Sequence, residues 1–548
     1  MSKKRIYNKE SLLIGALTSS FGVFISKLLG LLYYSPLSAL AGEENMVFYS
    51  VTYTYYDLLL KISSAGIPFA IAALVAKYVA KDDYKSALLV RKLGMSLVLA
   101  LSFVSVIFFV IFSEPLARQS MGSLASAQDI QYLKNLFLIL IVAVILVPFL
   151  STVRSYYQGL KRLDLYASSQ VLEQFVRVLT IIVVGFFCVQ ILKLEKIWAI
   201  YSAIGAAGFA ALISIVFFKL TTKQEDKRFY TLVSAQKTKA LASAEIFREI
   251  VSLGVPYLLI SFFGSAGPLI NTTYFLSYVT SKGGMPQDLA KLSLGILQAN
   301  CSKLLAIPQV LTSGFCAGLV PYLTESKEKH DLEKLAKQVK QILDTVLFIL
   351  IPVLFIFFFF AKDIYFIMYG NANLKLGTQL FRQSLATGFT ETVLPILSSI
   401  MITLGLKKES ILTLIGGFIV KAATFFVCVK YFWTAGLTIS TCIASIISIS
   451  IYLFIMSTRF SMSFSKTFKR MLIIIVASFV MVLPAILIHN FIPFNYDSRL
   501  INIVIMGLLG LLMLATYFVV SVKFHLPQSI FGMRKPSIQG LLNRFRMR

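Results

Sequence analysis

Long runs of apolar residues, separated by short polar segments, make up most of the chain. A helix of about 20 apolar residues is long enough to cross a hydrocarbon layer of about 30 Å. By this criterion the pattern predicts an all-α polytopic membrane protein with 14 transmembrane helices. The predicted spans are residues 11–40, 46–76, 93–113, 131–153, 167–192, 197–218, 249–279, 292–323, 341–361, 377–405, 410–430, 433–457, 471–492 and 500–523.

The distribution of basic residues between the predicted spans indicates the orientation of the chain. The loops on the side of the amino terminus hold 36 Lys and Arg residues, the opposite loops hold 10, and six lie inside spans. Loops that stay in the cytoplasm carry the excess of Lys and Arg. The sequence therefore predicts that both termini are cytoplasmic, which agrees with an even number of spans.

Composition and charge narrow the class of protein further. The 548 residues are 57% hydrophobic and 14% charged, with a net charge of +27. The basic residues lie in short loops, without a nucleic-acid motif, so we expect no nucleic-acid partner. The five cysteines lie inside apolar runs without a CxxC or Cys/His cluster, so we expect neither a disulfide framework nor a metal site.

Two halves of the chain resemble each other in the order of their Pro and Gly residues. Residues 65–68 (AGIP) are matched by residues 305–308 (LAIP), and Pro148 before Gly-Leu-Lys is matched by Pro395 before Gly-Leu-Lys. Six spans separate equivalent points, so the predicted lobes are related by a parallel pseudo-two-fold repeat. The predicted domains are 1–220 (first six-helix lobe), 221–245 (basic cytoplasmic linker), 246–457 (second six-helix lobe), 458–523 (two further spans) and 524–548 (basic cytoplasmic tail).

Nine charged residues fall inside the predicted spans, where each costs about 2.5–3.5 kcal/mol on insertion scales. Asp57 and Lys61 are four residues apart, as are Glu173 and Arg177, so each pair can form an ion pair within one helix. The nine residues are Lys27, Lys61, Arg177, Lys303, Arg382, Lys421, Asp57, Glu173 and Glu391.

Three of the lysines have no acidic residue at helical spacing, namely Lys27, Lys303 and Lys421. Unpaired cations inside a membrane usually face a water-filled cavity or an anion. Without a catalytic constellation in the sequence, this excess of positive charge favours a transporter of an anionic compound over an enzyme. Arg382 lies near the outer end of its span, where its side chain can reach the interface.

Other polar and aromatic residues have alternative interpretations. Glu43 and Glu44 could form the acid pair of a polytopic glycosyltransferase, but no large outer domain accompanies them, and a scaffold would leave the buried lysines unexplained. Arg154, Tyr157 and Gln158 lie at the cytoplasmic end of the fourth span and are a candidate gate. Six tyrosines near the first two spans are expected to be interface anchors, namely Tyr33, Tyr34, Tyr49, Tyr53, Tyr55 and Tyr56.

Several short motifs resemble those of a known family. Residues 26–30 read SKLLG, residues 61–66 read KISSAG, and residues 303–308 place a lysine five positions before a proline. Residues 154–159 read RSYYQG and are followed by QVLEQFVR at 170–177, which is the most specific match. Together, and over the whole chain, these residues resemble the Gram-positive MurJ/SpoVB branch of the multidrug/oligosaccharidyl-lipid/polysaccharide flippase superfamily.

The chain departs from the family pattern at two places. Family members usually carry a second cation shortly after the first-span glycine, where this chain has Tyr33 and Tyr34, and the SpoVB-like branch often has Lys where this chain has Ala73. Both differences lower the positive charge of the expected cavity.

The resemblance implies a lipid II flippase of the bacterial plasma membrane. Such a protein moves the undecaprenyl-pyrophosphate-linked peptidoglycan precursor from the inner to the outer leaflet by alternating access, and residues 458–523 would form a groove for its lipid tail. Lys27, Lys61 and Lys303 match family cations that hold the diphosphate, with Asp57 orienting Lys61, and Arg177 and Lys421 are assigned to the same cavity. Another polyprenyl-linked glycan, such as a capsule or teichoic-type unit, is the first alternative, and a drug exporter is the second.

The energy source is expected to be the membrane potential, because a diphosphate that moves outward follows an inside-negative field. The sequence contains no GxxxxGK[ST] motif for nucleotide binding. Coupling to Na⁺ or H⁺ through Glu173 or Glu391 is the alternative. We expect no cofactor, and we expect a monomer whose partners are membrane lipids and the cell-wall synthesis machinery.

Overall fold

The structure is a computed structural model that describes residues 26, 29, 30, 33–64, 66–122, 124–309, 323, 331–491 and 498–531. Within this part of the chain the backbone forms helices and no strands. The chain divides into two compact units. The first contains Met1–Leu304 and Lys407–Ser448, and the second contains Leu305–Leu406 and Ile449–Arg548.

Among the described residues, ten helices between Tyr34 and Gly295 belong to the first unit. Two of them continue into π-helical turns, α6 through Phe187–Ile191 and α10 through Ile296–Cys301. The helices are α1 Tyr34–Ala41, α2 Met46–Ser64, α3 Gly66–Ala80, α4 Tyr84–Met121, α5 Ala127–Gly159, α6 Leu163–Phe186, α7 Ile197–Thr221, α8 Lys223–Ala235, α9 Ser243–Ser281 and α10 Gln287–Gly295.

Residues 302–309 are also helical, and seven further helices follow among the described residues from Leu332 onward. They are α11 Leu332–Phe359, α12 Ala361–Tyr369, α13 Leu374–Thr403, α14 Lys407–Phe460, α15 Ser465–Phe491, α16 Arg499–Lys523 and α17 Leu526–Phe531. In the second unit, α15 and α16 pack against α11 and α12 through a core that includes Phe360, Met481 and Met513. An ion pair from Arg470 of α15 to the fully buried Asp344 of α11 adds to this contact.

The long element α14 is a helical hairpin rather than one straight helix. Trp433 has φ 49° and ψ −122°, which no helix adopts. Lys421 Nζ lies 3.2 Å from the carbonyl oxygen of Leu437, although 16 residues of straight helix would span about 24 Å. The chain therefore reverses at Trp433, where the sequence places the boundary between the spans 410–430 and 433–457.

The predicted spans agree with the described helices wherever the two can be compared. Eleven described helical segments are long and apolar enough to cross a membrane when α2 and α3 are counted as one segment, and the reversal in α14 divides another of them. The protein is thus an all-helical, multi-pass membrane protein. The predicted span 11–40 falls largely outside the described residues, and residues 310–322 of the predicted span 292–323 fall outside them as well. The total of fourteen, the cytoplasmic termini, the two lobes and the domain boundaries stay predictions.

The linker predicted at 221–245 is partly helical and packs against the first unit. Its helix α8 places Phe229 in an apolar core with Ile71, Val90, Leu150 and Phe218 from α3, α4, α5 and α7. Backbone polar groups of the linker are also bonded, since Leu241 N donates to Ser86 Oγ over 3.0 Å. The linker is therefore a structural part of the first unit rather than a free connection.

Helices α3 and α9 approach so closely at one point that only glycine fits at position 66. A Cβ atom added at Gly66 would overlap the backbone carbonyl of Gly254, whereas one added at Gly254 would lie 3.5 Å from the backbone of Gly66, an ordinary contact. The two glycines are therefore not equivalent, although both lie at the same crossing.

We expect Gly66→Ala to destabilise the protein by about 1–3 kcal/mol, because the added methyl group forces the two backbones apart. Gly254→Ala is expected to have a smaller effect, and Gly507→Ala, at a position with no neighbour within 4 Å, a negligible one. Thermal unfolding of the three purified variants in detergent measures the order of their stabilities. Equal effects at Gly66 and Gly254 would contradict the described crossing.

Candidate functional site

A cluster of five tyrosines lies inside the first unit, and we call it the tyrosine cluster: Tyr33, Tyr34, Tyr49, Tyr53 and Tyr56. Tyr49 and Tyr53 stack with ring centroids 5.7 Å apart, and the hydroxyls of Tyr33 and Tyr49 are 2.7 Å apart. Residues 49, 53 and 56 follow a spacing of four and three, which places them on one face of α2.

The prediction that the six tyrosines are interface anchors is wrong for five of them, and Tyr53 is partly exposed. Tyr33, Tyr34, Tyr49, Tyr55 and Tyr56 are all at most 5% exposed. Tyr55, on another face of α2, is 2.9 Å from Thr273 Oγ1 of α9. The sequence interpretation failed because aromatic residues near span ends are typical both of interfaces and of buried polar sites, and only the facing helices distinguish them.

Lys303 lies against the tyrosine cluster. Its Nζ atom is 5.3 Å from the ring centroids of both Tyr34 and Tyr53 and 6.0 Å from that of Tyr33. Ammonium groups at this distance from a ring face are attracted by about 0.5–2 kcal/mol. Among the described residues Lys303 forms no ion pair. The π-helical turn Ile296–Cys301 immediately precedes it, and such turns are frequent at functional sites.

A small cavity beside the cluster is lined by Arg177 of α6 together with Tyr33, Tyr49, Tyr53 and Tyr56. Its volume of about 10 Å³ is about the space that one water needs. Within the described part of the chain, the buried Nε of Arg177 and the hydroxyl of Tyr56 have no hydrogen-bond partner. Both groups can donate a hydrogen bond, so the cavity suits a water molecule or an oxygen atom of an anion.

Arg177 also belongs to a buried charge network that joins α5 and α6. Glu173 accepts hydrogen bonds from Arg177 Nη2 over 2.5 Å and from Arg154 Nη1 over 2.7 Å. Arg154 further donates to the hydroxyl and the carbonyl of Ser169 over 2.6 and 2.8 Å. Two guanidinium groups share one carboxylate, so the network keeps a net positive charge. The structure thus brings together residues that the sequence assigned to the gate, to ion coupling and to the headgroup cavity.

Asp57 and Lys61 form the ion pair that their spacing predicts. Their side chains are 41% and 31% exposed, so the pair is accessible. Lys27 lies outside the described residues, and its assignment stays a prediction. On either side of it, Ser26 Oγ donates to Gln170 O over 3.3 Å, and a Cβ atom at Gly30 would lie 3.2 Å from Gln174 Nε2. Ser26 and Gly30 of the first motif therefore lie against the motif at 170–177.

Two predicted site residues have other surroundings. Lys421 is 2% exposed and donates to the carbonyl of Leu437, to Ser440 Oγ over 3.1 Å and to Thr441 Oγ1, all on the returning half of its own hairpin. Its contacts are those of a lysine that fixes the hairpin. Glu391 is a partly exposed residue of α13 in the second unit.

The predicted gate residues differ in their environments. Gln158 is exposed, whereas Tyr157 is 1% exposed and donates to Asp226 Oδ1 of α8 over 2.9 Å. Arg91 of α4 approaches the same Asp226 oxygen at 3.5 Å and stacks over the ring of Tyr156 at 4.4 Å. Sequence analysis missed Asp226 and Arg91. The signal was the adjacent acidic pair Glu225 and Asp226 within a basic linker.

Glu43 and Glu44 do not form an acid pair around an open site. Glu43 is 4% exposed and accepts a hydrogen bond from Asn300 Nδ2 over 3.3 Å. The side chain of Glu44 is 63% exposed, with its carboxylate 3.6 Å from Lys196 Nζ. General acid–base chemistry requires both groups to reach one substrate bond, and the two carboxylates have unrelated surroundings.

We expect Tyr53→Leu to weaken substrate binding about 2- to 30-fold, which corresponds to about 0.5–2 kcal/mol of lost cation–π attraction at Lys303. Tyr53→Phe keeps the ring and should retain most of the affinity. The apparent substrate affinity in a reconstituted transport assay distinguishes the variants. If the Phe and Leu variants are equally impaired, the hydroxyl rather than the ring carries the function.

Comparison with known proteins identifies relatives over most of the chain. Residues 12–327 match the family model "Polysaccharide biosynthesis protein". The chain is 26% identical over 544 residues to "Lipid II flippase MurJ" of Bacillus subtilis (strain 168), covering 96% of this chain and 98% of the relative. It is 23% identical over 374 residues to "Stage V sporulation protein B" of the same organism, covering 67% and 68% of the two chains.

Solved structures share the fold. "Lipid II flippase MurJ, inward closed conformation" superposes with a TM-score of 0.64 at 16% identity, covering 93% of this chain and 99% of that one. An inward-facing multidrug resistance MATE family transporter of the MOP superfamily gives a TM-score of 0.62 at 15% identity, covering 80% and 94%.

Proposed function

Because the chain belongs to the polysaccharide biosynthesis protein family, we propose that it is a flippase that moves lipid II from the inner to the outer leaflet of the bacterial plasma membrane. The observation that carries the proposal is the position of Lys303. Its ammonium group lies over the tyrosine cluster inside the membrane and forms no ion pair among the described residues. The likeness to a flippase of lipid II along 98% of that relative supports the choice of cargo.

The proposed binding site holds the diphosphate of the cargo by point charges and hydrogen-bond donors. Lys303 supplies the charge, and Arg177 Nε and the Tyr56 hydroxyl supply donors that have no described protein partner. Lysine is a compact, strongly hydrated charge that binds phosphate without the bidentate geometry of arginine, so the ligand can leave again. Lys61 would join the site when phosphate competes with Asp57, and Lys27 is assigned there by its motif.

Transport would follow alternating access between two six-helix lobes, with fourteen spans and both termini in the cytoplasm. The lipid tail would stay in the membrane beside residues 458–523, while the headgroup crosses through the cationic site. No covalent step is required, and the proposed protein is a transporter rather than an enzyme, acting as a monomer beside the cell-wall synthesis machinery.

Two alternatives within the transporter class share the same fold. A flippase for another polyprenyl-linked glycan, such as a capsule or teichoic-type unit, would use the same diphosphate site and differ in its contacts to the sugars. An exporter of cationic drugs is disfavoured, because Arg154 and Arg177 share the single carboxylate of Glu173 and Lys303 has no described ion pair, so that a cation would be repelled.

A flipping assay with reconstituted protein tests the proposal. Fluorescent lipid II is placed in the inner leaflet of vesicles, and its arrival in the outer leaflet is read by quenching. Parallel vesicles carry a polyprenyl diphosphate with a teichoic-type headgroup or a cationic drug, and protein-free vesicles give the background. Flipping of lipid II at the highest rate supports the proposal. A higher rate with the teichoic-type lipid, or drug transport alone, would replace it.

The membrane potential should drive the reaction. A charge that crosses the full field gains roughly 2.3 kcal/mol per 100 mV, and a diphosphate carries about two charges. We expect flipping toward the positive side to accelerate when a potential is imposed by a potassium gradient with valinomycin, and to slow when the potential is reversed. Indifference to the potential together with dependence on a sodium or proton gradient would instead favour coupling through Glu173 or Glu391.

A further inference from the structure

A second, apolar cavity lies in the first unit, on a different face of α2 from the tyrosine cluster. Its volume is about 520 Å³, within the range of sites that hold drug-sized ligands. Side chains of α2, α4 and α9 line it, together with Phe418 of the α14 hairpin. All of these residues lie in helices that are long and apolar enough to span the membrane.

The lining determines the chemistry of a ligand. None of the described residues that line the cavity is charged. The Tyr55 hydroxyl is already engaged with Ser120 and Thr273, at 3.1 and 2.9 Å, and Ser105 donates to Leu101 O over 3.0 Å. Water gains little in such a space, so a hydrocarbon chain is the ligand that the walls favour.

The cavity reaches the outer surface of the unit through α4. Val104 is 63% exposed and Phe108 36% exposed, and both belong to the lining. An exposed apolar surface of this kind in a membrane-spanning helix is one that lipid chains can reach. We propose that the cavity binds one acyl chain of a membrane phospholipid, whose headgroup remains at the interface. A polyprenyl diphosphate is disfavoured as the source of the chain, because no cation lines the cavity.

The position of the cavity gives the bound chain a mechanical role. Helices α2 and α3 are joined to α9 at two places, through Tyr55–Thr273 at one and through Gly66–Gly254 at the other. Between these contacts α9 contains Pro256 and Pro268, each of which removes a backbone hydrogen bond and permits bending. An acyl chain in the cavity would act as a spacer that limits how far α9 can bend toward α2.

Photolabelling in vesicles tests this assignment. The full chain is reconstituted with a trace of phospholipid that carries a diazirine near the end of one acyl chain, irradiated and analysed by peptide mass spectrometry. Leu59 and Ile270 are 8% and 6% exposed and line the cavity, so their labelling reports entry. Phe103 and Val110, at 63% and 56% exposure, report contact with bulk lipid.

Ser105→Phe fills the cavity. Val104→Trp narrows its mouth, and the larger side chain fits there because Val104 is 63% exposed. We expect either variant to lower labelling of Leu59 and Ile270 about tenfold, because the added ring occupies the space of the chain, with labelling of Phe103 and Val110 unchanged. Val110→Phe is the matched control on the lipid side of α4 and should change nothing at Leu59 or Ile270.

Three results would overturn the assignment. The first is that Leu59 and Ile270 are not labelled in the unmodified protein. The second is that they are still labelled in both the Ser105→Phe and the Val104→Trp variants. The third is that only a diazirine-bearing polyprenyl diphosphate, and not the phospholipid, labels them. Because the experiment measures labelling rather than transport, its result does not depend on whether the proposed cargo is correct.

Discussion

Glu173→Ala is expected to destabilise the folded protein by about 3–5 kcal/mol, because it leaves two buried guanidinium groups without their shared carboxylate. The side chains of Arg154 and Glu173 are each 10% exposed and that of Arg177 is 17% exposed. Neither arginine can turn to bulk water without leaving its helix interface. Removing one member of a buried network costs far more than the network contributes when complete.

The matched control for this substitution is Glu114→Ala. Glu114 also pairs with two cations, Arg118 at 2.8 Å and Lys134 at 2.9 Å, but its side chain is 41% exposed. Exposed ion pairs contribute little to stability, so the control should barely shift the unfolding temperature in detergent. Glu173→Gln keeps the shape and removes only the charge, and we expect most of the loss to appear there as well. Equal shifts for Glu173→Ala and Glu114→Ala would contradict the buried network.

Lys303→Gln is expected to lower flipping about 30-fold without a comparable loss of stability. A hydrogen bond to a charged group is worth about 1.5–3 kcal/mol, and about 2 kcal/mol corresponds to roughly 30-fold in rate or affinity. The folded state should tolerate the change, since Lys303 has no described ion pair that would be left unsatisfied. Its cation–π contacts to the tyrosine cluster are individually weak.

Lys282→Gln is the control for Lys303, because Lys282 is exposed and its ammonium lies 5.9 Å from the Tyr278 ring. That variant should flip at the rate of the unmodified protein. Lys303→Arg keeps the charge and should retain part of the activity. Flipping rate and thermal stability are measured on the same preparations. A Lys303→Gln protein that flips normally would remove the lysine from the site, and one that fails to fold would show that its role is structural.

Features that depend on neighbouring residues along the chain could be predicted from the sequence. A span requires only a sufficiently long apolar run, so the existence and position of helices such as α4 and α5 were predictable before any packing was known, although both helices extend beyond the predicted spans at each end. The pairs Asp57–Lys61 and Glu173–Arg177 were predictable for the same reason, because a spacing of four places two side chains on one side of any helix. The reversal at Trp433 follows a break in the apolar pattern.

What the sequence could not decide is which faces of different helices meet. Arg154 and Glu173 lie on separate helices, and Lys303 is 250 residues from Tyr53, so neither contact has a periodic signature. For the same reason the tyrosine cluster resembled interface anchors, and Lys421 resembled an unpaired cation until its hairpin placed Leu437 and Ser440 beside it. By itself the sequence determined the helices and the charges that the membrane must accommodate. Only the tertiary structure decided how those charges are compensated, because compensation over a few ångströms depends on helix packing.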